Sequence, residues 1–281
     1  MGLVDAKILP SLTSLAEGNK LDAIFHVGDM AYDVQDREGQ VGDDFMNMIQ
    51  EISAHVPYQI LPGNHEEHDN FTHYDHLFTM MDSGSGVKNN FYHSTNIGPL
   101  HVVSITDDFY FFTGYGTGQL VSQYNWLVND LKEANKPENR MIRPWIILLS
   151  HRPMYSSTGL PDVMVEMETV RNGIDGKYGL EQVLNDNRID LFIAGHVHNY
   201  ERMLPMYMGR MQEDKPDPYH DAEYPVHLIT GAAGNQDGLT PFLLPRPRHS
   251  VKRITDYGYT TMNASLSRLL IQQISKVRFL F

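Results

Sequence analysis

Short apolar runs alternate with helix-like stretches along this chain, and this alternation limits the possible folds more than any other feature. Six runs are rich in Ile, Leu, Val or aromatic residues and have the length of buried strands: residues 21–29, 58–65, 101–106, 143–151, 189–196 and 226–234. Strands that alternate with helices are typical of layered domains. We therefore predict an α/β or α+β fold in which helices flank a sheet.

The clearest helix is predicted over residues 119–135. Leu120, Leu127 and Leu131 recur there at the spacing of one helical face, and Pro137 follows the end of the pattern. Weaker helices are predicted over residues 4–17, 42–54, 71–81 and 178–187.

The chain contains no internal repeat and no linker, so we predict a single domain over residues 1–281. Residues 1–205 form a core that carries the motifs described below, and residues 206–281 form a C-terminal segment. Proline-containing loops are predicted over residues 204–225 and 235–256, followed by one or two closing strands before residue 276.

Charge and hydropathy argue against two classes of partner. The formal net charge is −13 with neutral His, which argues against a wide nucleic-acid interface. A phosphate substrate stays compatible with this charge, because a bound metal can dominate the local field. No run approaches the roughly 18–20 apolar residues of a membrane helix. Neither nucleic acid nor a membrane is therefore a predicted partner, and the oligomeric state stays open.

The chain has no cysteine, so a metal would have to be held by His, Asp, Glu, Asn or Tyr. The first ten residues contain no basic and apolar pattern of a signal peptide. Asn70 and Asn263 begin N-x-[ST] triplets and are candidate glycosylation sites.

Polar groups of a particular kind follow four of the predicted strands. They are Asp29 with Tyr32 and Asp33, Asn64 with His65 and Glu66, His151, and His196 with His198. Because ligands bind at the carboxyl ends of strands in open sheets, we expect these groups to meet at one rim. Carboxylate, amide, imidazole and phenolate donors suit Fe, Mn and Zn rather than Cu(I) or an Fe–S cluster.

The histidine pair indicates more than one metal ion. In "GHVH", Val197 separates His196 from His198, and on an extended segment residues i and i+2 point to the same side. The two imidazoles could bind different ions if these ions lie about 3.5–4 Å apart. A carboxylate such as Asp29 can bridge such a pair.

Each motif alone has a simpler explanation. "GD" before Tyr32 is compatible with a hydrogen-bonded turn, Asn64 with an ordinary loop, and His151 with a buried, hydrogen-bonded imidazole. The acidic pair Asp107-Asp108 is predicted to be a solvated turn. The joint occurrence of the motifs, each after an apolar run, favours the metal site.

The order GDxxY, GNHE, His and GHxH resembles the metallophosphoesterases, and most closely the purple acid phosphatases of the animal iron/zinc type. The stretches "LPGNHE", "RPWIILLSHRPMY" and "GHVHNYER" support this. Tyr32 distinguishes the chain from the Ser/Thr protein phosphatases of the same superfamily, which carry GDxVDRG there. The resemblance covers nearly the whole chain and implies a β-sandwich of two mixed sheets flanked by helices.

The resemblance also implies a role for each site residue. Asp29 would bridge both ions. Tyr32 and His198 would bind the first, a ferric ion, and Asn64, His151 and His196 the second, which would be Zn, Fe or Mn. A free Tyr has a pKa of about 10, so binding of phenolate requires a strong Lewis acid such as Fe(III).

The implied activity is that of an acid phosphatase acting on small phosphate monoesters, with metal-bound hydroxide as the nucleophile. His65 would be catalytic, because it would stabilise or protonate the departing alkoxide. The resemblance further implies a secreted or lysosomal location. A phosphodiesterase of the same superfamily is a less favoured alternative, because Tyr32 speaks against it.

The chain departs from the family pattern at its start. The family carries a Gly-Asp-Met-Gly motif on a strand before the first helix, and Met1-Gly2-Leu3 resembles only its last half. The Asp and its strand would precede Met1, a central sheet position is expected to be empty, and Asp5 is not expected to substitute. The alternative function is therefore a truncated relative with weak Fe(III) binding and reduced or absent activity.

Two further departures lie downstream. Many relatives place a phosphate-contacting His after the residue that corresponds to His151, but no His occurs here between residues 151 and 196. Glu166 or Glu168 is expected in that region. The final residues 276–281 do not resemble the tail of the family.

Overall fold

A computed structural model describes residues 1–275 of the chain. The seven helices are α1 (Leu9–Glu17), α2 (Gln40–Ser53), α3 (His68–Leu77), α4 (Gly118–Ala134), α5 (Pro137–Ile142), α6 (Pro161–Asn172) and α7 (Leu180–Asp186). No helix among the described residues combines the length and hydropathy needed to cross a bilayer. The predicted ending 276–281 lies outside these residues.

Fifteen strands accompany the helices. They are β1 (Ile24–Val27), β2 (Tyr58–Leu61), β3 (His93–Ile97), β4 (Leu100–Ser104), β5 (Trp145–Ser150), β6 (Gly173–Ile174), β7 (Lys177–Tyr178), β8 (Leu191–Ala194), β9 (Tyr200–Met203), β10 (Met206–Tyr207), β11 (Arg210–Met211), β12 (Val226–Thr230), β13 (Ser250–Ile254), β14 (Gly258–Ala264) and β15 (Leu269–Ser275).

A seven-stranded mixed sheet forms the main layer, with the order β13-β9-β12-β8-β5-β4-β3. Its central strands β4, β5, β8 and β12 are parallel. They are almost wholly buried, as expected for parallel strands covered on both faces. Ile147, Leu149 and Ile193 share one buried cluster, whereas Ile146 and Leu148 face the cluster that includes the helices. The predicted α/β architecture is confirmed.

The second layer consists of two separate two-stranded pieces. β1 pairs in parallel with β2, and β14 pairs in an antiparallel manner with β15. Both pieces pack on the same face of the main sheet through apolar side chains. A cleft of about 530 Å³ separates β1 from β14, and Leu100, Leu149 and Ile193 contribute to its lining. The empty central sheet position expected from the sequence stays a prediction.

Several element boundaries differ from the predictions. Helix α1 begins at Leu9 instead of residue 4, because Pro10 is favoured only in the first turn of a helix. Helix α6 was not predicted, since only Val163 and Val170 of its twelve residues are buried. The loop predicted over residues 235–256 contains strand β13. The two closing strands are confirmed as β14 and β15, whereas the division of the chain at residue 205 stays a prediction.

A buried histidine on β12 makes stability depend on pH. His227 packs edge-on against Tyr155, at 4.9 Å between ring centroids, and its Nε2 lies 3.2 Å from the carbonyl of Met206. Burial lowers the pKa of His227 to about 4. Below its normal pKa of about 6.5, the unfolded chain therefore binds a proton that the folded chain does not. Stability falls as the pH falls from 6.5 towards 4.

We expect His227→Gln to flatten this dependence. Between pH 7 and pH 5, the free energy of unfolding should fall by about 2 kcal/mol less in the variant than in the wild type. Chemical denaturation at the two pH values, with a chelator present, measures this difference. His220→Gln replaces an imidazole that is 80% exposed and is the control. An unchanged slope for His227→Gln would show that the ring is not buried in its neutral form.

Candidate metal centre

The segments that follow β1, β2, β5 and β8 meet at one end of the fold. The carboxylate of Asp29 lies 3.2 Å from Nε2 of His151, although 122 residues separate them along the chain. The backbones of Asp29 (φ 57°), Tyr32 (φ 61°) and His196 (φ 59°) are all left-handed. Few residues other than Gly adopt this conformation, and such strained positions cluster at functional sites.

Two glycines allow these segments to approach closely. Gly28 has φ 82°, in the region that favours glycine. Gly63 has an ordinary backbone, but a Cβ atom there would lie 2.5 Å from Oδ1 of Asp29 and 2.7 Å from Cε1 of His151. The "GD" and "GNH" motifs therefore carry glycine for reasons of space and backbone conformation.

We expect Gly63→Ala to weaken metal binding. The added methyl group would push the side chains of Asp29 and His151 apart, at a cost of about 1–3 kcal/mol. Calorimetric titration of the metal-free protein with Zn²⁺ measures the loss of affinity. Gly114→Ala is the control, because a Cβ atom there meets no atom within 4 Å. Equal Zn²⁺ affinities of Gly63→Ala and Gly114→Ala would mean that the loops move to accommodate the methyl group and that Gly63 does not fix the donor geometry.

Four donor atoms form a first group. Oδ1 of Asn64 lies 3.1 Å from both Nε2 of His151 and Nδ1 of His196, and these two nitrogens are 3.2 Å apart. Asp29 completes the group through its contact with His151. Ligands about 2.1 Å from one tetrahedral ion are roughly 3.4 Å from each other. The spacing of the group matches a single ion.

The remaining ring nitrogens of the histidines are already occupied. Nδ1 of His151 donates to the carbonyl of Val27 at 2.8 Å, and Nδ1 of His198 lies 3.0 Å from the carbonyl of Gly238. A metal ligand must be a neutral imidazole, which has one donor and one acceptor nitrogen, so in that form Nε2 of each ring carries the lone pair. Hydrogen bonds of this kind commonly orient histidine ligands.

Tyr32, His198 and Asn235 form a second group. The hydroxyl of Tyr32 lies 2.9 Å from Nε2 of His198, and the amide of Asn235 contacts both side chains. Burial, reinforced by the charge of Asp29, raises the pKa of Tyr32 above its usual value. The phenol is therefore neutral unless a strong Lewis acid binds it.

Asp29 dominates the electrostatics of the rim. Although burial opposes both shifts, Asp29 raises the pKa of His151 to about 9, and the imidazoles of His151, His65 and His196 lower the pKa of Asp29. Carboxylate oxygen, amide oxygen and imidazole nitrogens thus converge on a point that favours positive charge. These residues fit a metal ion of the Zn, Fe or Mn type.

His65 lies beside both groups without belonging to either. Its ring packs at 4.5 Å against that of Tyr32, and its Nδ1 lies 3.1 Å from Oδ1 of Asp33. The side chain is 27% exposed. This arrangement directs Nδ1–H to Asp33 and leaves Nε2 available to a bound molecule.

Sequence reasoning assigned no supporting role to Glu66 and did not single out Asn235. Glu66 is buried and accepts the backbone N–H groups of Asp29, Met30 and Gly63 at 2.8–2.9 Å, so it ties two motifs together. Burial, followed by the charge of Asp29, raises its pKa to about 8. The motif "GNHEE" placed Glu66 at the rim, but its contacts with Asp29 and Met30 become visible only in the structure. Asn235 follows β12 as the other site residues follow their strands, and this was the available signal.

Three predictions about the surroundings are corrected or refined. Asp107 and Asp108 are fully buried, not solvated, because Asp108 pairs with Arg152 at 2.8 Å and Asp107 accepts Ser150 Oγ and Arg152 N–H. The segment from His196 to His198 is bent, not extended, so the two rings reach different groups. Asp5 is paired with Lys7 at the surface, as expected for a residue outside the site.

Two family profiles match this chain. The profile of the family described as "Calcineurin-like phosphoesterase" matches residues 6–200. A second profile, "Iron/zinc purple acid phosphatase-like protein C", matches residues 224–277. Acid phosphatase type 7 of Mus musculus is 40% identical over 280 residues, which cover 98% of this chain and 62% of that protein. The chain thus spans about three fifths of the length of this relative.

Two more distant similarities extend the comparison. "Probable inactive purple acid phosphatase 24" of Arabidopsis thaliana is 28% identical over 91% of this chain and 41% of that protein. The structure of purple acid phosphatase PPD1 from yellow lupin (Lupinus luteus) seeds has a TM-score of 0.74 and 22% identity, covering 95% of this chain and 46% of that one. The latter shows the same fold. The resemblance inferred from the motifs is confirmed, and the chain belongs to the calcineurin-like phosphoesterases, with a C-terminal segment that matches the iron/zinc purple acid phosphatase profile.

Proposed function

We propose that this chain is an acid phosphatase that hydrolyses small phosphate monoesters at a dinuclear metal centre. The observation that carries the proposal is the presence of two donor groups around one carboxylate. Asn64, His151 and His196 would hold a Zn, Fe or Mn ion, Tyr32 and His198 would hold Fe(III), and Asp29 would contribute to both. When bound, the two ions lower the pKa of coordinated water and polarise a phosphate oxygen.

The chain's own residues have two further tasks in this proposal. Asp33 orients His65, whose Nε2 can carry a proton to the oxygen of the leaving group. Glu66 holds the backbone of the two loops that present Asp29 and Asn64, so the donors are in place before substrate arrives. In this proposal the substrate is bound through its phosphate group. The metal ions would make this possible on a chain of net charge −13, because they dominate the local field.

Metal analysis combined with a paired activity assay tests this proposal. We expect two ions per chain, a visible Tyr-to-Fe(III) charge-transfer band, and release of phosphate from an aryl phosphate below neutral pH. A matched aryl phosphodiester should react more slowly. Faster turnover of the diester would favour a phosphodiesterase, and absence of both ions and turnover would reject an enzymatic function.

A second candidate is a weakly active or inactive protein with one ion. The observation that favours it is an asymmetry between the donor groups. Tyr32 and His198 share their space with the amide of Asn235, which contacts both side chains and supplies no negative charge. Fe(III) would then be held less strongly than the second ion. A metal content near one per chain, without the charge-transfer band, would favour this candidate.

We also propose a secreted or lysosomal location. Asn263 lies exposed on β14 and can accept a glycan, whereas the side-chain oxygen of Asn70 is buried. Expression through a secretory pathway, followed by glycosidase treatment, should reveal a mobility shift that Asn263→Gln removes. A shift that persists in this variant would assign the glycan to Asn70.

A further inference from the structure

A buried ionic network adjoins the metal centre and is not part of either donor group. Arg152, which is 4% exposed, donates from Nε and Nη2 to Oδ1 of Asp108 at 3.0 and 2.8 Å. Its Nη1 donates to Oε1 of Glu166 at 2.5 Å. The guanidinium also packs on the ring of Phe111 at 4.5 Å. Arg152 therefore fixes the position of the Glu166 carboxylate.

Glu166 and Arg152 both contact the same nitrogen of His196. Oε2 of Glu166 lies 2.9 Å from Nε2 of His196, and Nη1 of Arg152 lies 3.1 Å from it. The two contacts require opposite tautomers of the ring. A carboxylate can only accept, so it needs Nε2–H, whereas a guanidinium can only donate, so it needs a lone pair on Nε2.

The contact with Glu166 decides between the tautomers. A lone pair on Nε2 would face a carboxylate oxygen at 2.9 Å, which is repulsive. With Nε2–H, Arg152 loses only its longer contact, because Asp108 and Glu166 already accept its other N–H groups. Charge-assisted hydrogen bonds to a carboxylate are also the stronger kind. The tautomer with Nε2–H is therefore favoured.

This choice determines whether His196 can be a ligand. Its Nδ1 faces Oδ1 of Asn64 at 3.1 Å and Nε2 of His151 at 3.2 Å. With the proton on Nε2, Nδ1 presents a lone pair to this group, whereas the other tautomer would place a hydrogen there. The nitrogen that carries the proton is set by the partner of the opposite nitrogen.

We propose that Glu166 is a positioning residue that selects the metal-binding tautomer of His196, with Arg152 and Asp108 holding the carboxylate in place. This inference rests on the proposed metal centre. Of the two glutamates expected in this region, Glu166 reaches the centre from α6, whereas Glu168 is exposed. Because both glutamates lie on α6, substitution of Glu168 is a matched control for substitution of Glu166.

The test uses the metal-free full chain and its Glu166→Ala, Glu166→Gln and Glu168→Ala variants. Titration with Zn²⁺ should show that Glu166→Ala weakens one binding step about 10–100-fold, the usual effect of losing such a partner. Glu166→Gln should lie between Glu166→Ala and the wild type, because its amide oxygen can still accept from Nε2–H. Glu168→Ala should match the wild type. Arg152 is not substituted, since its loss would leave Asp108 buried without its cation.

A second readout does not depend on metal or activity. Long-range ¹H–¹⁵N spectra of the metal-free protein distinguish the two tautomers of each imidazole, and Glu166→Ala should shift His196 towards the Nδ1–H form. Unchanged Zn²⁺ affinity together with an unchanged tautomer would overturn the inference. If the wild type binds no Zn²⁺ but the tautomer still changes, the positioning role stands and the proposed metal centre fails.

Discussion

Asp29→Asn is expected to remove metal from both positions and to abolish phosphate release. The substitution keeps the size of the side chain but deletes the negative charge around which both donor groups are arranged. Asp29 also raises the pKa of His151 to about 9, despite the opposing effect of burial. Its charge therefore acts directly on the donor group of Asn64, His151 and His196. The loss of affinity should exceed the roughly 10–100-fold that removal of a supporting partner causes. Elemental analysis and turnover of an aryl phosphate measure the two effects.

A nearby carboxylate provides the control for this prediction. Asp36 lies on the same segment but is exposed, and Asp36→Asn should retain both ions and turnover. If Asp29→Asn instead retained two ions, the carboxylate would not bridge them. If it retained one ion together with activity, the centre would function with a single metal.

His65→Ala is expected to lower turnover by about 10²–10⁴-fold, which is typical for loss of a general acid. Metal content should stay unchanged, because His65 belongs to neither donor group. The loss should be large for an alkyl phosphate, whose leaving group needs a proton, and smaller for a nitrophenyl phosphate. Steady-state assays with the two substrates measure this difference.

His68→Ala is the control, since His68 is exposed and lies three residues further along the chain. Equal losses for the two leaving groups would assign His65 to substrate binding instead of proton transfer. A fall in metal content would place it in the support of Tyr32, against whose ring it packs.

The residues of the candidate site could be predicted because each follows its strand directly. Asp29 lies two residues after β1, and His151 follows β5 directly. A local pattern therefore locates both residues without knowledge of the fold. The family prediction is confirmed for the same reason. The roles of these residues stay predictions, because the arrangement of donors does not by itself identify an ion or a substrate.

The supporting network could not be predicted, because its contacts join distant parts of the chain. Asp108 was expected in a solvated turn, yet it is buried by Arg152, 44 residues later. No local pattern encodes such a pair. Helix α6, which carries Glu166, also escaped prediction, because Met164 and Val165 are exposed and blur the apolar stripe.

The cleft between β1 and β14 has a consequence for behaviour in solution. Within residues 1–275, each of these strands is paired on one side only, and the facing backbone edges border an apolar wall. Such edges are templates for β-augmentation, in which an extended peptide from another molecule adds as a new strand. Mutual repulsion between copies of charge −13 opposes this contact, and added salt screens that repulsion. We therefore expect any contact between copies at this cleft to strengthen as the ionic strength rises.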